Sequence, residues 1–367
     1  MSARESGLEA GTADGEQVAS IAPEQSLARR LLPKLAISIA LGALFAWLVS
    51  RGGVPLIPPS EAFDAVRWWT VPAYLGMLAV THFFRASRWR FLIAPVKRLP
   101  MREVIALNWI GFFAIFALPL RLGELARPAL TKLRNDIPIS VGFGTIAVER
   151  VVDGLVTSLC VAWALFALPR LSVRDELARG LPVYGYIALA VFAAAFVALA
   201  LFLWQRVLAV RITRATIGLL SPRAGDFFST KVGSVADGVR SLADPKLAGG
   251  FLFETLIYWG TNAAGMWLLG WGCGLPMTFA HAVAVMGILA IGILLPAGPG
   301  LFGNFQLAIS TALKLYFAES LVGSQGAVYV FLMYSIQAVF IVLVGVIPLY
   351  AMRIPFRALL RVVPSSR

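Results

Sequence analysis

The sequence is poor in charge, and this shortage excludes an ordinary water-soluble domain. Only 14% of its 367 residues are charged, whereas 59% are hydrophobic, and the mean hydropathy is +0.80. A soluble chain of this length cannot bury so much apolar surface, so lipid must solvate much of it. The apolar runs also lack the alternating pattern of an outer-membrane barrel. The sequence therefore predicts an all-α polytopic membrane protein.

Cysteine and histidine are also scarce, at two residues of each type. They are too few and too scattered for a metal cluster, and we interpret Cys160 and Cys273 as packing residues in or beside apolar segments. A nucleotide-binding P-loop is lacking, which argues against ATP as the direct energy source. We predict no cofactor, no metal site and no catalytic residue.

Acidic residues are fewer than basic ones, 19 against 32, so the net charge is +13. The cations lie in short loops between apolar runs, where the positive-inside rule and anionic lipid headgroups account for them. We therefore expect membrane phospholipids as partners, and no nucleic acid.

Apolar segments follow one another along the chain, at 35–50, 68–87, 103–119, 138–168, 182–205, 248–272, 276–296, 301–316 and 325–351. If all of them crossed the bilayer, the basic stretches 85–102 and 120–139 would face opposite sides, against the positive-inside rule. The conflict disappears if 103–135 and 276–316 each enter the membrane and return to the same side. Six full spans then remain, and 25 of the 32 Lys and Arg residues fall on the inner side.

The spans and hairpins also repeat. One unit consists of 68–87, 103–135 and 138–168. The other unit has the opposite orientation in the membrane and consists of 248–272, 276–316 and 325–351. Inverted repeats with broken helices are typical of transporters. We predict about six full spans plus two oppositely oriented re-entrant helical hairpins in an inverted repeat. The predicted location is the bacterial inner membrane, with both termini cytoplasmic.

Three polar segments frame or interrupt the predicted transmembrane domain, residues 29–351. Residues 1–28 are predicted to be a disordered cytoplasmic N-terminus, and residues 352–367 a basic cytoplasmic tail. The stretch 206–247 is interpreted as basic amphipathic helices on the cytoplasmic leaflet, or equally as a solvated helical linker.

The first hairpin turn places charges where a membrane helix would still be running. Pro119 ends one half-helix and Gly123 permits the turn, so a second half-helix begins with free N–H groups and a positive dipole end. Arg121 and Arg127 near this end predict a site for an anion, most simply a lipid phosphate. Glu124 would balance the arginines or bind an amine. The alternative is an interfacial loop with snorkelling arginines.

A second group of charges lies in the middle of the predicted span 138–168. Glu149, Arg150 and Asp153 share one helical arc, roughly 13–20 Å along the span at ~1.5 Å per residue. Ionisable groups at this depth cost on the order of 2.5–3.5 kcal/mol each, so they must face protein, water or a polar ligand. The alternative is a structural Arg150–Asp153 pair that binds nothing.

The second hairpin turn, "LLPAGPGLFGNFQ" at 294–306, cannot continue a helix. Such backbone at membrane depth is tolerated only when it is buried in protein or lines a wet cavity. Asn304 and Gln306 add neutral hydrogen-bonding groups beside it, and a plain turn outside the membrane is the alternative. The turn residues predicted here are Pro296, Gly298, Pro299, Gly300 and Gly303.

Four stretches carry a family resemblance: "RASRWRFLI" (85–93), "LPLRLGELARPAL" (118–130), "VERVVDGL" (148–155) and "PAGPGLFGNFQ" (296–306). In these stretches the chain resembles the flippase-like membrane domain of lysylphosphatidylglycerol synthases and the stand-alone proteins that share it. The resemblance implies movement of lipids, often with charged headgroups, between leaflets. The residues that match its polar motif positions are Arg121, Glu124, Arg127, Glu149, Arg150 and Asp153.

The chain departs from the family pattern in two ways. Gln306 stands where the family often has Glu, which removes a negative charge and weakens the case for a cationic aminoacyl headgroup. The sequence ends sixteen residues after its last predicted span, so we expect no soluble aminoacyl-transfer domain.

We therefore expect a lipid flippase or scramblase that moves a phosphate-bearing or otherwise charged headgroup. The predicted substrate-binding residues are Arg121, Glu124, Arg127, Glu149, Arg150, Asp153, Asn304 and Gln306. A polyprenyl-phosphate-linked sugar or a hopanoid-type lipid stays open as the substrate. Two other functions stay open: an intramembrane transferase with Glu124 or Asp153 as base, and an assembly subunit for a neighbouring lipid-modifying enzyme. Assembly into an oligomer stays open as well.

Overall fold

A computed structural model of the protein describes residues 25–169, 176–204, 240–295 and 297–355. The described residues form helices joined by turns, and none of them lies in a β-strand, which confirms the predicted all-α class. Most of the predicted N-terminal segment 1–28, the stretch 206–247 and the tail 352–367 lies outside the described residues, and those predictions stay predictions.

The helices agree closely with the predicted apolar segments. In chain order they are α1 (Gln25–Arg51), α2 (Thr70–Ser87), α3 (Trp89–Ile93), α4 (Met101–Ala117), α5 (Ala126–Asn135), α6 (Ile139–Ala167), α7 (Glu176–Trp204), α8 (Pro245–Gly272), α9 (Phe279–Gly292), α10 (Asn304–Lys314) and α11 (Ala327–Ala351). Two 3-10 turns, Pro119–Leu125 and Pro299–Leu301, interrupt the helical hairpins, and a π-helical turn, Val322–Gly326, leads into α11.

Among the described helices, four stretches are long and apolar enough to cross a membrane. They are Leu32–Arg51 in α1, Ile139–Ala167 in α6, Gly180–Leu201 in α7 and Glu319–Ala351, which contains α11. The predicted spans α2 and α8 are not among the four, and both carry buried polar side chains, such as His82 and Glu254. A helical membrane protein is therefore confirmed.

The first broken segment, residues 101–135, changes direction at a proline, as the sequence predicts. Leu118 is extended (φ −91°, ψ 140°), because the residue before a proline is kept out of the α region. Pro119 then opens the 3-10 turn, and α5 begins at Ala126.

Gly123 serves this turn differently from the sequence prediction. Its backbone is not among the positive-φ glycines, so conformational freedom is not what the position requires. A Cβ built there would instead lie 2.0 Å from the carbonyl carbon of Ala114. The glycine therefore lets the turn lie directly on the backbone of α4.

The second broken segment, residues 279–314, is interrupted by left-handed glycines. Gly300 (φ 69°) and Gly303 (φ 81°) hold conformations that side-chain-bearing residues rarely adopt. Helix α1 supports this turn from behind, because Ser38 Oγ donates to the Ala297 carbonyl at 2.8 Å. A Cβ on Gly298 would lie 2.8 Å from the Cα of Gly42 on α1. Pro296 lies outside the described residues.

Helix packing links the two predicted units. The main contacts between the two units pair α2 with α8, α4 with α11, and α9 with α6. Exchanging the units, so that α2 replaces α8, α4 replaces α9 and α6 replaces α11, leaves this set of pairs unchanged.

Two apolar cores lie at opposite ends of the long helices. One core includes Trp89, Val141 and Phe251, and the other includes Tyr74 and Met266. Helices α6, α8 and α11 each contribute residues to both cores, whereas α2 contributes to one core and α3, directly after it, to the other. Polar residues occupy the helix turns between the cores. We call these residues the polar layer: Thr81, His82, Arg85, Arg88, Asp153, Thr157, Glu254, Thr255 and Gln337, with Glu149 and Arg150 at its edge.

Candidate functional site

The most deeply buried cation of the polar layer is Arg88, which is 1% exposed. Its Nη1 and Nη2 atoms donate to the two carboxylate oxygens of Asp153, at 2.6 Å each. Nη1 also donates to Thr255 Oγ1 at 3.1 Å, and Trp259 Nε1 donates to Asp153 Oδ1 at 3.1 Å. Bidentate geometry with additional hydrogen bonds is what a buried ion pair needs to offset desolvation.

This arrangement corrects the structural pair that the sequence suggested between Arg150 and Asp153. The two residues do share an arc of α6, but the carboxylate is bound by Arg88 from α2's C-terminal end. Helical spacing identified the charged residues correctly, but it did not identify their ion-pair partners. The partners are set by tertiary packing, which aligns the guanidinium plane of Arg88 with the Asp153 carboxylate.

A second buried pair joins the first broken segment to α6. Arg127 Nη1 donates to Glu149 Oε1 at 3.0 Å and to Asn108 Oδ1 at 2.5 Å, while Nη2 donates to Glu149 Oε2. The guanidinium also lies over the ring of Trp89, 5.4 Å from its centroid. Arg127, predicted as a phosphate ligand, thus has its planar fork occupied by Glu149.

A central cavity of about 170 Å³ opens in the polar layer. A single water molecule needs only about 10–15 Å³ by a comparable measure, so the cavity has room for a small polar group. Side chains from both units line it, on helices α2, α4, α6, α8, α9, α10 and α11, together with Gly300 and Leu301 of the second broken segment. Phe192 of α7 completes the lining. The cavity therefore lies where the two units meet.

Two half-buried arginines, Arg85 and Arg150, line this cavity. Within the described part of the chain, no carboxylate forms an ion pair with either of them. We call them the cavity arginines. Arg88 and Arg127 are neutralised by carboxylates, whereas the cavity arginines present positive charge to the cavity.

Their surroundings hold the cavity arginines in place without neutralising them. The Arg85 guanidinium carbon lies 4.2 Å from the ring centroid of Phe112 and 5.8 Å from that of Tyr258. Arg150 Nε is buried and has no hydrogen-bond partner among the described residues. Both guanidinium groups border the same cavity, so an anion between them would offset two like charges at once.

The other predicted binding residues are distributed around this centre. Glu124 lines a smaller pocket of about 20 Å³ that also contacts Arg127 and Arg150. Asn304 Nδ2 donates to the Gly292 carbonyl at 2.9 Å, so it ties α9 to α10.

Gln306 caps the start of α10, because its Oε1 accepts from the Gly303 N–H at 2.8 Å. Neither Asn304 nor Gln306 is among the residues that line the cavity. The side chain of Arg121 lies outside the described part of the structure.

Sequence reasoning missed part of the site because it counted residues 85–102 as an inner basic loop. Arg85 and Arg88 instead belong to the polar layer, and their spacing of three residues on one helix is the signal that could have revealed them. Glu254 was also missed, although it is an acidic residue inside the predicted span 248–272. Its carboxylate accepts from Arg90 at 2.5 Å and from Ser87.

Comparison with known families gives one result that bears on this site. The family model described as the lysylphosphatidylglycerol synthase TM region matches residues 35–345. Neither the curated proteins nor the solved structures provide a match. The matched range contains both broken segments, the polar layer and the central cavity.

Proposed function

Since the chain belongs to the family of the lysylphosphatidylglycerol synthase transmembrane region and has a membrane lipid-related function, we propose that it is a lipid flippase or scramblase. It moves a phosphate-bearing or otherwise charged headgroup between leaflets through the central cavity. The observation that carries this proposal is the pair of cavity arginines, which have no carboxylate partner among the described residues.

The chemistry of these two side chains favours a phosphate. A guanidinium group presents a planar fork of N–H donors that matches phosphate oxygens, and it stays charged even when partly buried. Charged side chains at membrane depth are costly and usually mark a substrate pathway. A headgroup phosphate between Arg85 and Arg150 would supply the negative charge that both arginines lack.

The fold supports a path across the bilayer in our proposal. Six helices, α1, α2, α6, α7, α8 and α11, serve as full spans, and the two broken segments are re-entrant hairpins from opposite sides. The exchange symmetry of the helix contacts supports an inverted repeat. The two apolar cores would then lie towards the two leaflets, with the cavity between them.

The test is translocation of a fluorescent lipid in vesicles that contain the purified protein. Phosphatidylcholine vesicles carry a trace of phosphatidylglycerol labelled on an acyl chain, and dithionite added outside bleaches only the outer-leaflet label. We expect the protein to bring the inner-leaflet label outward. Arg85→Gln and Arg150→Gln should each slow this by roughly tenfold to a hundredfold, the equivalent of one charge-assisted hydrogen bond.

Arg102→Gln is the matched control, because Arg102 is an exposed residue at the start of α4 and does not line the cavity. Its translocation rate should equal that of the unaltered protein. A rate no higher than that of protein-free vesicles would contradict the proposal. Equal rates for the cavity variants and the control would show that the lipid crosses elsewhere.

A further inference from the structure

We infer that the central cavity selects a net-anionic, amine-free headgroup, such as a phosphodiester whose remaining polar groups are hydroxyls, and rejects headgroups that carry an ammonium. The inference rests on the proposed function, since it names the substrate class of the same cavity. The inference depends on the ion pairs at the cavity wall, where other residues bind the carboxylate and the cavity arginines have no carboxylate partner among the described residues.

The first step concerns the carboxylate on the cavity wall. Asp153 is the one acidic residue among the described side chains that line the cavity. Its Oδ2 accepts from Arg88, and its Oδ1 accepts from both Arg88 and Trp259. Arg88 itself does not line the cavity, so it neutralises Asp153 from behind and leaves no carboxylate available to an ammonium.

Neighbouring carboxylates do not provide a counter-charge for an ammonium in the central cavity either. Glu149 accepts from Arg127 through both of its oxygens. Glu124 does not line the cavity but lies in the wall of an adjoining pocket of about 20 Å³, which shares Arg150 with the cavity. An ammonium in the central cavity would therefore lose its hydration without gaining a counter-charge, which is costly at membrane depth.

The second step concerns the positive charges that are present. Arg85 and Arg150 line the same cavity, so an anion offsets their like charges, whereas an ammonium adds a third cation. Juxtaposed like charges are strongly unfavourable in a desolvated site. The same two residues that attract the phosphate thus exclude an amine attached close to it.

The third step concerns the rest of the headgroup. Neutral side chains that both donate and accept hydrogen bonds also line the cavity, namely Thr81, Asn262 and Gln337. Hydroxyl groups both donate and accept, so they match these side chains, whereas an ammonium can only donate.

The test compares two lipids with the same labelled acyl chain in the same reconstituted vesicles. Phosphatidylglycerol carries one negative charge and hydroxyls, and phosphatidylethanolamine carries the same phosphate with an ammonium. We expect phosphatidylglycerol to cross at least about tenfold faster, because the amine adds a like charge beside the arginines. Equal rates, or faster phosphatidylethanolamine, would overturn the inference and leave the proposed function standing.

The failure of the proposed function has a different signature. If neither lipid crosses faster than in protein-free vesicles, the translocation proposal itself fails. Uptake of radiolabelled glycerol 3-phosphate into the vesicles without lipid movement would overturn both, because the ligand would then be a soluble phosphate ester. Lipid movement without such uptake supports recognition of the headgroup as part of a lipid.

A substitution that adds one carboxylate to the wall provides an independent readout. Asn262→Asp is nearly isosteric and should raise the rate of phosphatidylethanolamine relative to phosphatidylglycerol. Asn262→Ala, the matched variant, removes the amide without adding charge and should retain the preference for phosphatidylglycerol. An unchanged ratio in Asn262→Asp, in protein that still moves phosphatidylglycerol, would count against charge selection in this cavity.

Discussion

At the residue scale, the four central arginines fall into two groups that the sequence does not distinguish. Arg88 and Arg127 are nearly fully buried, and each binds one carboxylate through both of its Nη atoms. Arg85 and Arg150 lie beside them and have no such partner among the described residues. The first group therefore stabilises the bundle, and we assign the second group to the ligand.

This division predicts a strong energetic coupling between Arg88 and Asp153. Arg88→Gln should cost about 3–5 kcal/mol of the free energy of unfolding, because it leaves the Asp153 carboxylate buried without a counter-charge. The double variant Arg88→Met with Asp153→Leu should recover much of that loss, since it leaves no buried charge unpaired. Denaturation of the purified protein in mixed detergent micelles measures both.

The exposed pair Lys132–Asp136 provides the control for this coupling. Asp136→Asn keeps a side chain that tolerates the left-handed backbone at this position (φ 56°) and removes only the charge. It should leave the denaturation midpoint unchanged, because exposed ion pairs contribute little. Losses for Arg88 and Asp153 that simply add in the double variant would contradict the coupling.

At the scale of single elements, the broken segments depend on glycines in two different ways. Gly300 and Gly303 supply positive φ, whereas Gly123 supplies close approach between the 3-10 turn and α4. Gln306 adds a side-chain cap to α10. A glutamate here, as in the family pattern, would cap the same N–H, so this departure does not alter the charge on the cavity wall.

The close approach at Gly123 makes a specific prediction. Gly123→Ala should destabilise the protein by about 1–3 kcal/mol, as overpacking does, because its Cβ has no space against the backbone of α4. Gly76→Ala is the matched control, since a Cβ at Gly76 in α2 meets nothing within 4 Å. It should be neutral or stabilising by up to about 1 kcal/mol. Thermal unfolding in detergent measures both, and equal melting temperatures would refute the role given to Gly123.

At the scale of the whole molecule, the polar layer separates the two apolar cores. Helices α6, α8 and α11 each pass through it. The first broken segment contributes to one core, and the second contributes to the other. This distribution is what hairpins entering from opposite faces would produce. It predicts that the ends of the two hairpins face opposite sides of the membrane.

Single cysteines test that arrangement, in a protein whose Cys160 and Cys273 are replaced by alanine. Lys132→Cys lies on an exposed position near the end of α5, and Ser320→Cys lies on an exposed position before α11. A membrane-impermeant maleimide should label position 132 from the cytoplasmic side and position 320 from the opposite side. Position 132 labelled from outside would favour full crossings over re-entrant hairpins.

The sequence alone determined the features that depend on local composition and spacing. Apolar runs located most helices within about four residues, but α1 begins ten residues and α7 six residues before the predicted segment. Pro119 located the first break, and the Pro-Gly stretch located the second. Helical periodicity also placed Glu149, Arg150 and Asp153 together near mid-span. Lipid solvation, proline geometry and the helical repeat act over a few neighbouring residues. The sequence alone therefore suffices to predict the features that depend on them.

Only the tertiary structure decided which charge meets which. Asp153 pairs with Arg88, 65 positions away in the chain, and not with Arg150 on its own helix. The cavity arginines become recognisable only after every described carboxylate nearby has been assigned to another partner or pocket. Ion pairing requires side chains to align within a few ångströms, and the packing of helices distant in sequence sets that alignment.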